Sequence, residues 1–238
     1  MKETIYTIPI NESFDKKCGC PLCRLHDDLE ESSLDYIMGA AMMEPDVRED
    51  SNKRGFCSKH YADMLAMKNR LSLALTVESR LGELKKILSQ NLKKSMSKDV
   101  DMKKVPTLLT DTSSGCFVCE RIDSFMVQYY KNIIYMWKHD DLFRREKFLN
   151  QPYFCLNHTS KLLEQGANEL GKKEYTAFSE ELIGVTTKYL DKVSSEVSTF
   201  CQSFDYRNAG KDIGDAKTAV ERAIVFLSGT TKELEDHK

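Results

Sequence analysis

An all-α fold with an internal repeat is what this sequence predicts, and three observations carry the prediction. Helix breakers are scarce, with 11 glycines and 5 prolines in 238 residues, while Leu, Lys, Glu, Met and Ala, which favour helix, are plentiful. Apolar residues return at intervals of three and four over long stretches, the period of an amphipathic helix. A Cys-x-x-Cys followed some thirty residues later by a Cys-x-x-His occurs twice, in the same order.

Taken in order, residues 1–19 read as an extended lead-in, because Pro9 disfavours helix in its neighbour. After Cys23, Leu25, Leu29, Leu34, Ile37, Met38, Ala41 and Met42 mark a helix that Pro45 should end. Glu44 to Gly55 is polar and turn-rich, so a loop or a single helical turn is expected. One long helix should start near Cys57, its stripe running through Tyr61, Met64, Leu65, Leu71, Leu75, Leu81, Leu84, Leu88 and Leu92. From about Ser95 the pattern lapses into a linker.

The second half repeats the plan. Cys119 opens a helix through Ile122, Phe125, Met126, Tyr129, Ile133, Ile134 and Trp137. Asp140 to Asn150 is a return segment that could hold a short helix, and Cys155 starts the next helix, which Gly166 and Gly171 should interrupt. A helix from about Glu174 to Phe204 follows, then a last one from about Asp215 to Leu227, closed by Gly229. The expected organisation is a first repeat at 1–96, a linker at 97–114, a second repeat at 115–170 and C-terminal helices at 171–238.

Cys20 and Cys116 are 96 residues apart, as are Cys23 and Cys119; Cys57 and Cys155 are 98 apart, as are His60 and His158. Flanks agree too, Gly19-Cys20 against Gly115-Cys116 and Phe56-Cys57 against Phe154-Cys155. Four positions in register with a two-residue insertion indicate duplication. The chemistry of the four is that of tetrahedral zinc. A Cys-x-x-Cys turn brings two thiolates to one cation, and Cys-x-x-His at a helix start sets both side chains on one face. Each half is therefore expected to close its own Cys3His site: Cys20, Cys23, Cys57 and His60 in the first, Cys116, Cys119, Cys155 and His158 in the second. Such a shell leaves no open position for substrate, so two structural zinc ions are expected. For Cys57 to return to Cys20, the segment before it must run extended along the first helix, at about 3.3 Å per residue.

Rival readings are weaker. A thioredoxin-type dithiol would need a βαβ setting that the sequence lacks; an iron–sulfur cluster is less usual with Cys3His, and haem attachment needs Cys-x-x-Cys-His. Cys18 and His26 lie beside the first site, but their counterparts Ser114 and Ile122 are not credible ligands, so the repeat excludes both from the shell, although Cys18 could still swap in. Cys201 reads as a small buried hydrophobe, and His139 and His237 as solvated. The deaminase, zinc-protease, P-loop, dinucleotide and Gly-x-Ser-x-Gly signatures are absent.

A net charge of −2 and a pI near 6.2 provide no general field for nucleic acid or anionic lipid. The N-terminus has no signal-peptide stretch and no window spans a membrane, so a cytoplasmic protein is expected, where cysteines read as metal ligands. Residues 85–104 hold seven lysines against two aspartates; without arginines and aromatics this is a solvated helix end, and nucleic acid is an unlikely partner. The acidic Glu44, Asp46, Glu49 and Asp50 around Arg48 read as a solvated turn whose arginine makes ion pairs. Phe204-Asp-Tyr-Arg-Asn208 reads as a turn that docks the last helix.

The strings Cys20-Pro-Leu-Cys23, Met42-Met-Glu-Pro-Asp-Val-Arg48, Gly55-Phe-Cys57-Ser-Lys-His60, Tyr153-Phe-Cys155-Leu-Asn-His158, Phe204-Asp-Tyr-Arg-Asn208 and Ala219-Val-Glu-Arg-Ala223 resemble an uncharacterised bacterial family of clostridial type, domain-of-unknown-function family 6062. The resemblance covers nearly the whole chain and implies a cytoplasmic bacterial protein, with no activity or catalytic residue to carry over. The expected function is a binding or scaffolding protein with structural zinc and an unknown protein partner. One alternative is an enzyme with its active site near the Glu44–Arg48 loop. Another is a zinc-dependent regulator that touches nucleic acid through the Lys-rich segment 85–104.

Overall fold

Helix is the regular structure throughout. The computed structural model describes residues 5–96, 106, 107, 110, 114–208 and 211–229, and no strand occurs among them. The expected linker at 97–114 falls mostly outside the described residues, and His237 wholly so.

The first helix, α1 (Thr7–Asp15), replaces the expected extended lead-in. Pro9 stands inside its first turn, where a missing N–H leaves no intrahelical bond unmade, and Ile10 and Phe14, one turn apart, are fully buried. Helix α2 (Pro21–Met38) begins at the first Cys-x-x-Cys and buries Leu22, Leu25, Leu29, Ile37 and Met38 along one stripe. A 3-10 turn, Ala40–Met43, follows.

The segment expected as a loop is a helix, α3 (Pro45–Arg54). Pro45 does not stop a helix here but starts one, since its fixed φ suits the first position. Asp46 lies in the first turn and Lys53 and Arg54 in the last, the arrangement that complements the helix dipole. Gly55 ends it at φ 68°, its N–H donating to Ser51 O at 2.8 Å.

The single long helix expected after Cys57 is two, α4 (Ser58–Ala66) and α5 (Arg70–Met96). Lys68 adopts the left-handed region at φ 63°. Asn69 then caps α5, accepting the Ser72 N–H at 3.3 Å while its amide donates to Met38 O at 3.0 Å. The break changes which face is buried. Thr76 and Arg80 turn inward, Thr76 donating to Ser72 O and Arg80 to Asn52 O, and Leu71 and Leu81 are left exposed.

Helix α6 (Phe117–His139) begins at the second Cys-x-x-Cys. The return segment holds a wide turn of π-helix, Phe143–Phe148, in which the Leu149 N–H reaches Arg144 O at 3.0 Å. Helix α7 (Leu156–Glu169) runs straight through Gly166. That glycine is a packing site and not an interruption, for a Cβ there would lie 3.0 Å from the Phe178 ring. Gly171 caps α8 (Lys172–Ser203), with the Glu174 carboxylate accepting its N–H at 3.2 Å. A 3-10 turn, Gly214–Thr218, leads into α9 (Ala219–Ser228), which Gly229 closes.

The chain forms two compact units, Met1–Asp27 with Met126–Lys238, and Asp28–Phe125. The stretch expected as the first repeat, 1–96, thus contributes to both. The discontinuous unit is built on aromatic rings. Phe14 meets Phe143 and Phe154 at 5.1 and 6.1 Å, and Phe148 meets Phe154 and Phe178 at 5.0 and 5.7 Å. At its edge Trp137 donates to Glu181 at 2.8 Å, while Arg144 stacks on the indole at 4.5 Å and bonds both oxygens of the same carboxylate. Helix α9 docks through Phe226, 5.7 Å from Tyr153 and 5.3 Å from Tyr189. In the Asp28–Phe125 unit, Phe56 contacts Tyr61 and Phe117, and Asn52 donates to Ser79 at 2.8 Å, fixing α3 on α5.

The Glu181 carboxyl is held below the usual glutamate range. Burial opposes its charge, but the bonds from Arg144 and Trp137 outweigh that cost. A depressed carboxylate contributes stability that is complete above the unfolded value of about 4.3 and is lost as pH falls through the lower folded value. Glu181→Gln should therefore cost about 1.5–3 kcal/mol at neutral pH, the range for hydrogen bonds to a charged group. Urea melts at pH 7 and pH 3 should show that deficit shrinking in acid.

Candidate metal centres

Each Cys-x-x-His pair sits at a helix start built in the same way. Cys57 and Cys155 are the N-cap residues of α4 and α7, with extended backbones at φ −74°, ψ 165° and φ −65°, ψ 160°. That conformation turns the cap sulfur inward, and the histidine three residues on lies on the same face. In each Cys-x-x-Cys pair the first cysteine, Cys20 or Cys116, stands just ahead of the helix, and the second, Cys23 or Cys119, lies in the first turn of α2 or α6. Their preceding glycines serve different ends. Gly19 has φ 63°, which favours glycine, whereas a Cβ on Gly115 would lie 2.5 Å from Arg54 O.

The eight residues gather into two clusters, and the pairing is not the one expected. Cys20 and Cys23 meet Cys155 and His158; Cys57 and His60 meet Cys116 and Cys119. Each half thus supplies its Cys-x-x-Cys to one site and its Cys-x-x-His to the other. Helix length is the physical reason. The 18 residues of α2 span about 27 Å, and the 10 residues of α3 span only about 15 Å at 1.5 Å per residue. The helical segment therefore reaches less than half as far as the extended return that a Cys20–Cys57 pairing assumes, about 33 Å for ten residues. Cys57 meets Cys116 instead, and the loops are joined by the Phe117 N–H donating to Gly55 O at 2.8 Å.

Both clusters have the dimensions of a tetrahedral cation site. Four donors around zinc, with sulfurs at about 2.3 Å and nitrogen at about 2.0 Å, lie about 3.5 Å apart between S and N and about 3.8 Å between sulfurs. In the Cys20 site, His158 Nδ1 lies 3.1 Å from Cys155, 3.4 Å from Cys23 and 3.7 Å from Cys20, and Cys23 and Cys155 are 3.6 Å apart. In the Cys57 site, His60 Nδ1 lies 3.1 Å from Cys116, 3.3 Å from Cys57 and 3.4 Å from Cys119, and Cys57 and Cys119 are 4.0 Å apart. Disulfides need about 2.05 Å, and all eight cysteines are free. In both sites Nδ1 is the nitrogen that faces the sulfurs.

A model of a family of unknown function, DUF6062, matches residues 1–234. The chain belongs to this family. No curated protein and no solved structure matches it significantly.

The electrostatics of the DUF6062 chain fit cation-binding clusters. Burial works against charge on both imidazoles, yet the neighbouring sulfurs hold His158 up at about 9, and Cys116 with Glu30 holds His60 up at about 10. Burial pushes the Cys20 thiol far up, while its hydrogen bonds with Cys155 and Cys20 pull Cys23 far down. Cys116 is drawn down to about 6, burial being outweighed by His60, and burial pushes Cys119 up. Charge is thus shared within each cluster, and a cation would displace the protons that remain.

The residues set aside from the ligand sets lie outside both clusters. Cys18 is exposed, 3.6 Å from Arg24 Nη1, and His26 leans on Asp27 at 3.6 Å. Cys201 is exposed, not buried as expected, because it stands in the last turns of α8, where no side chain after Val193 is buried. Arg48 donates to Met43 O at 3.2 Å, where ion pairs were expected; the pairs on α3 are Glu49–Lys53 at 2.7 Å and Asp50–Arg54 at 3.1 Å. The Phe204–Asn208 turn closes on itself through Asp205 and Arg207 at 2.7 Å, and Phe204 and Tyr206 remain exposed while α9 docks elsewhere. Lys85 and Lys86 are exposed, and the Lys-rich segment beyond residue 96 lies outside the described residues.

Accessibility orders the cysteines. In chelator-treated protein, iodoacetamide should modify Cys18 and Cys201 first, the half-buried Cys57 and Cys119 next, and the buried Cys20, Cys23, Cys116 and Cys155 last. Peptide mass spectrometry over a time course reads that order directly.

Proposed function

We propose that this DUF6062 protein holds two structural zinc ions and that the helical framework they brace serves binding or scaffolding, not catalysis. The observation that carries the reading is the closure of both clusters. Each assembles three sulfurs and one imidazole nitrogen at tetrahedral spacing, a donor set that fills the coordination shell of zinc and suits a structural role. Each zinc would tie helix starts that lie far apart in sequence, Cys23 to Cys155 and Cys57 to Cys116. What the metal supplies is cross-linking; the chain's own residues position the donors and shield them from water.

Further support comes from the acidic helix α3, the seat of the enzyme alternative. Its carboxylates Glu44, Asp46 and Glu49 are exposed, and Glu49 and Asp50 pair with cations one turn on. A protein partner fits a chain of net charge −2 better than nucleic acid does, and no described helix is long and apolar enough to cross a membrane. Elemental analysis of purified protein should give about two zinc per chain, and chelation should lower the melting temperature sharply. Metal-free protein of unchanged stability would defeat the reading.

A further inference from the structure

The two sites share a donor set but not their surroundings. With Nδ1 turned to the sulfurs, His60 has Nε2 left to donate, and it does so to Glu30 Oε1 at 3.0 Å. Glu30 projects from α2 and is only 7% exposed. Lys59 bonds the same oxygen and also approaches Asp63 Oδ2 at 3.5 Å. The lysine ammonium stands where Glu30, His60 and Asp63 would otherwise gather around a second cation, so this trio is an outer shell and not a third metal site.

The repeat register shows that this shell belongs to the Cys57 site alone. Ninety-six residues after Glu30 stands Met126, and ninety-eight after Lys59 and Asp63 stand Asn157 and Lys161. A buried methionine is a poor acceptor for an imidazole N–H, and Asn157 is engaged with Ser228 O at 2.9 Å. The carboxylate–lysine pair is therefore a feature that one copy of the motif has and the other lacks.

We propose that Glu30 is the positioning residue that sets metal affinity at the Cys57 site, with Lys59 fixing the carboxylate. This rests on the metal-binding reading above. Accepting a hydrogen bond from Nε2–H fixes the tautomer that presents Nδ1 as a lone pair, holds the ring plane, and makes the imidazole a stronger donor; outer-shell carboxylates of this kind change metal affinity about 10–100-fold. Lys59 restrains Glu30 and offsets its charge beside a shell that three thiolates on a divalent cation leave with a net negative charge.

The test uses the full chain loaded with zinc, wild type against Glu30→Gln and Glu30→Leu. A graded chelator titration is followed by alkylation and peptide mass spectrometry, so that each site reports through its own cysteines. In Glu30→Gln, which keeps an acceptor and loses the charge, the Cys57 site should surrender its metal at about 10–100-fold lower chelator strength. Glu30→Leu should go further, and the Cys20 site should be unmoved in both. An equal fall at both sites would mean that Glu30 merely holds the fold, and would overturn the proposal. An unchanged Cys57 site in either variant, with two metals in the wild type, would overturn it alone. Wild-type protein that takes up no metal would overturn the structural-zinc reading and this proposal with it.

Discussion

Cys20→Ser combined with Cys155→Ser should leave the protein with one zinc per chain, whereas Cys20→Ser combined with Cys57→Ser should leave it with none. The first pair damages one cluster twice; the second damages both clusters once. If each half closed its own site, the two outcomes would be exchanged, so zinc content alone decides the pairing. Stability should follow. Structural zinc sites in small peptides bind with an apparent free energy on the order of 10 kcal/mol at neutral pH, and a serine in place of one thiolate forfeits much of it. The Cys20/Cys155 variant should therefore melt little lower than Cys20→Ser alone, because the second change falls on a site already lost. The Cys20/Cys57 variant should fall by nearly the sum of its single changes. Inductively coupled plasma analysis and thermal melts on the four variants supply both measurements.

Phe148→Ala should cost about 3–5 kcal/mol, the range for a fully buried phenylalanine whose neighbours cannot close the cavity. Phe148 has no exposed surface and lies between the Phe154 and Phe178 rings at 5.0 and 5.7 Å. Collapse is hindered because it sits at the end of the π-helical turn, whose backbone Gln151 ties down by donating to Lys147 O and to Phe14 O, both at 2.8 Å. Phe154 adjoins Cys155 of the Cys20 cluster, so the loss should also loosen that site. Guanidinium unfolding should show a lower midpoint, and the same chelator series should empty the Cys20 site before the Cys57 site.

Much of the architecture was legible in the residues. The starts of α2, α4, α6 and α7 follow from the cysteine pairs, and the span of α8 and the end of α9 at Gly229 follow from period and caps. Pro9 and Pro45 look like breakers in the sequence, yet a proline in the first turn of a helix is tolerated or favoured. Gly55 behind Lys53 and Arg54 is a helix ending, and with Pro45 in front of it the helix α3 was there to be read. Lys68 and Asn69 were a weaker signal, since a non-glycine residue at positive φ carries little mark in sequence. Gly166 looks like an interruption in the sequence, which cannot show that the Phe178 ring packs against it.

What the sequence determined by itself was chemical and local. Two Cys-x-x-Cys and two Cys-x-x-His pairs, each at a helix start and each in register with its copy, define the donors and the conformation that presents them. Which cysteines and histidines gather together was decided only in three dimensions, where the helical α3 reaches less far than an extended segment would. Glu30 belongs to the same class. Nothing near it in sequence marks it as a partner of His60, thirty residues away, because spacing along the chain specifies neighbours within a helix and not contacts between helices.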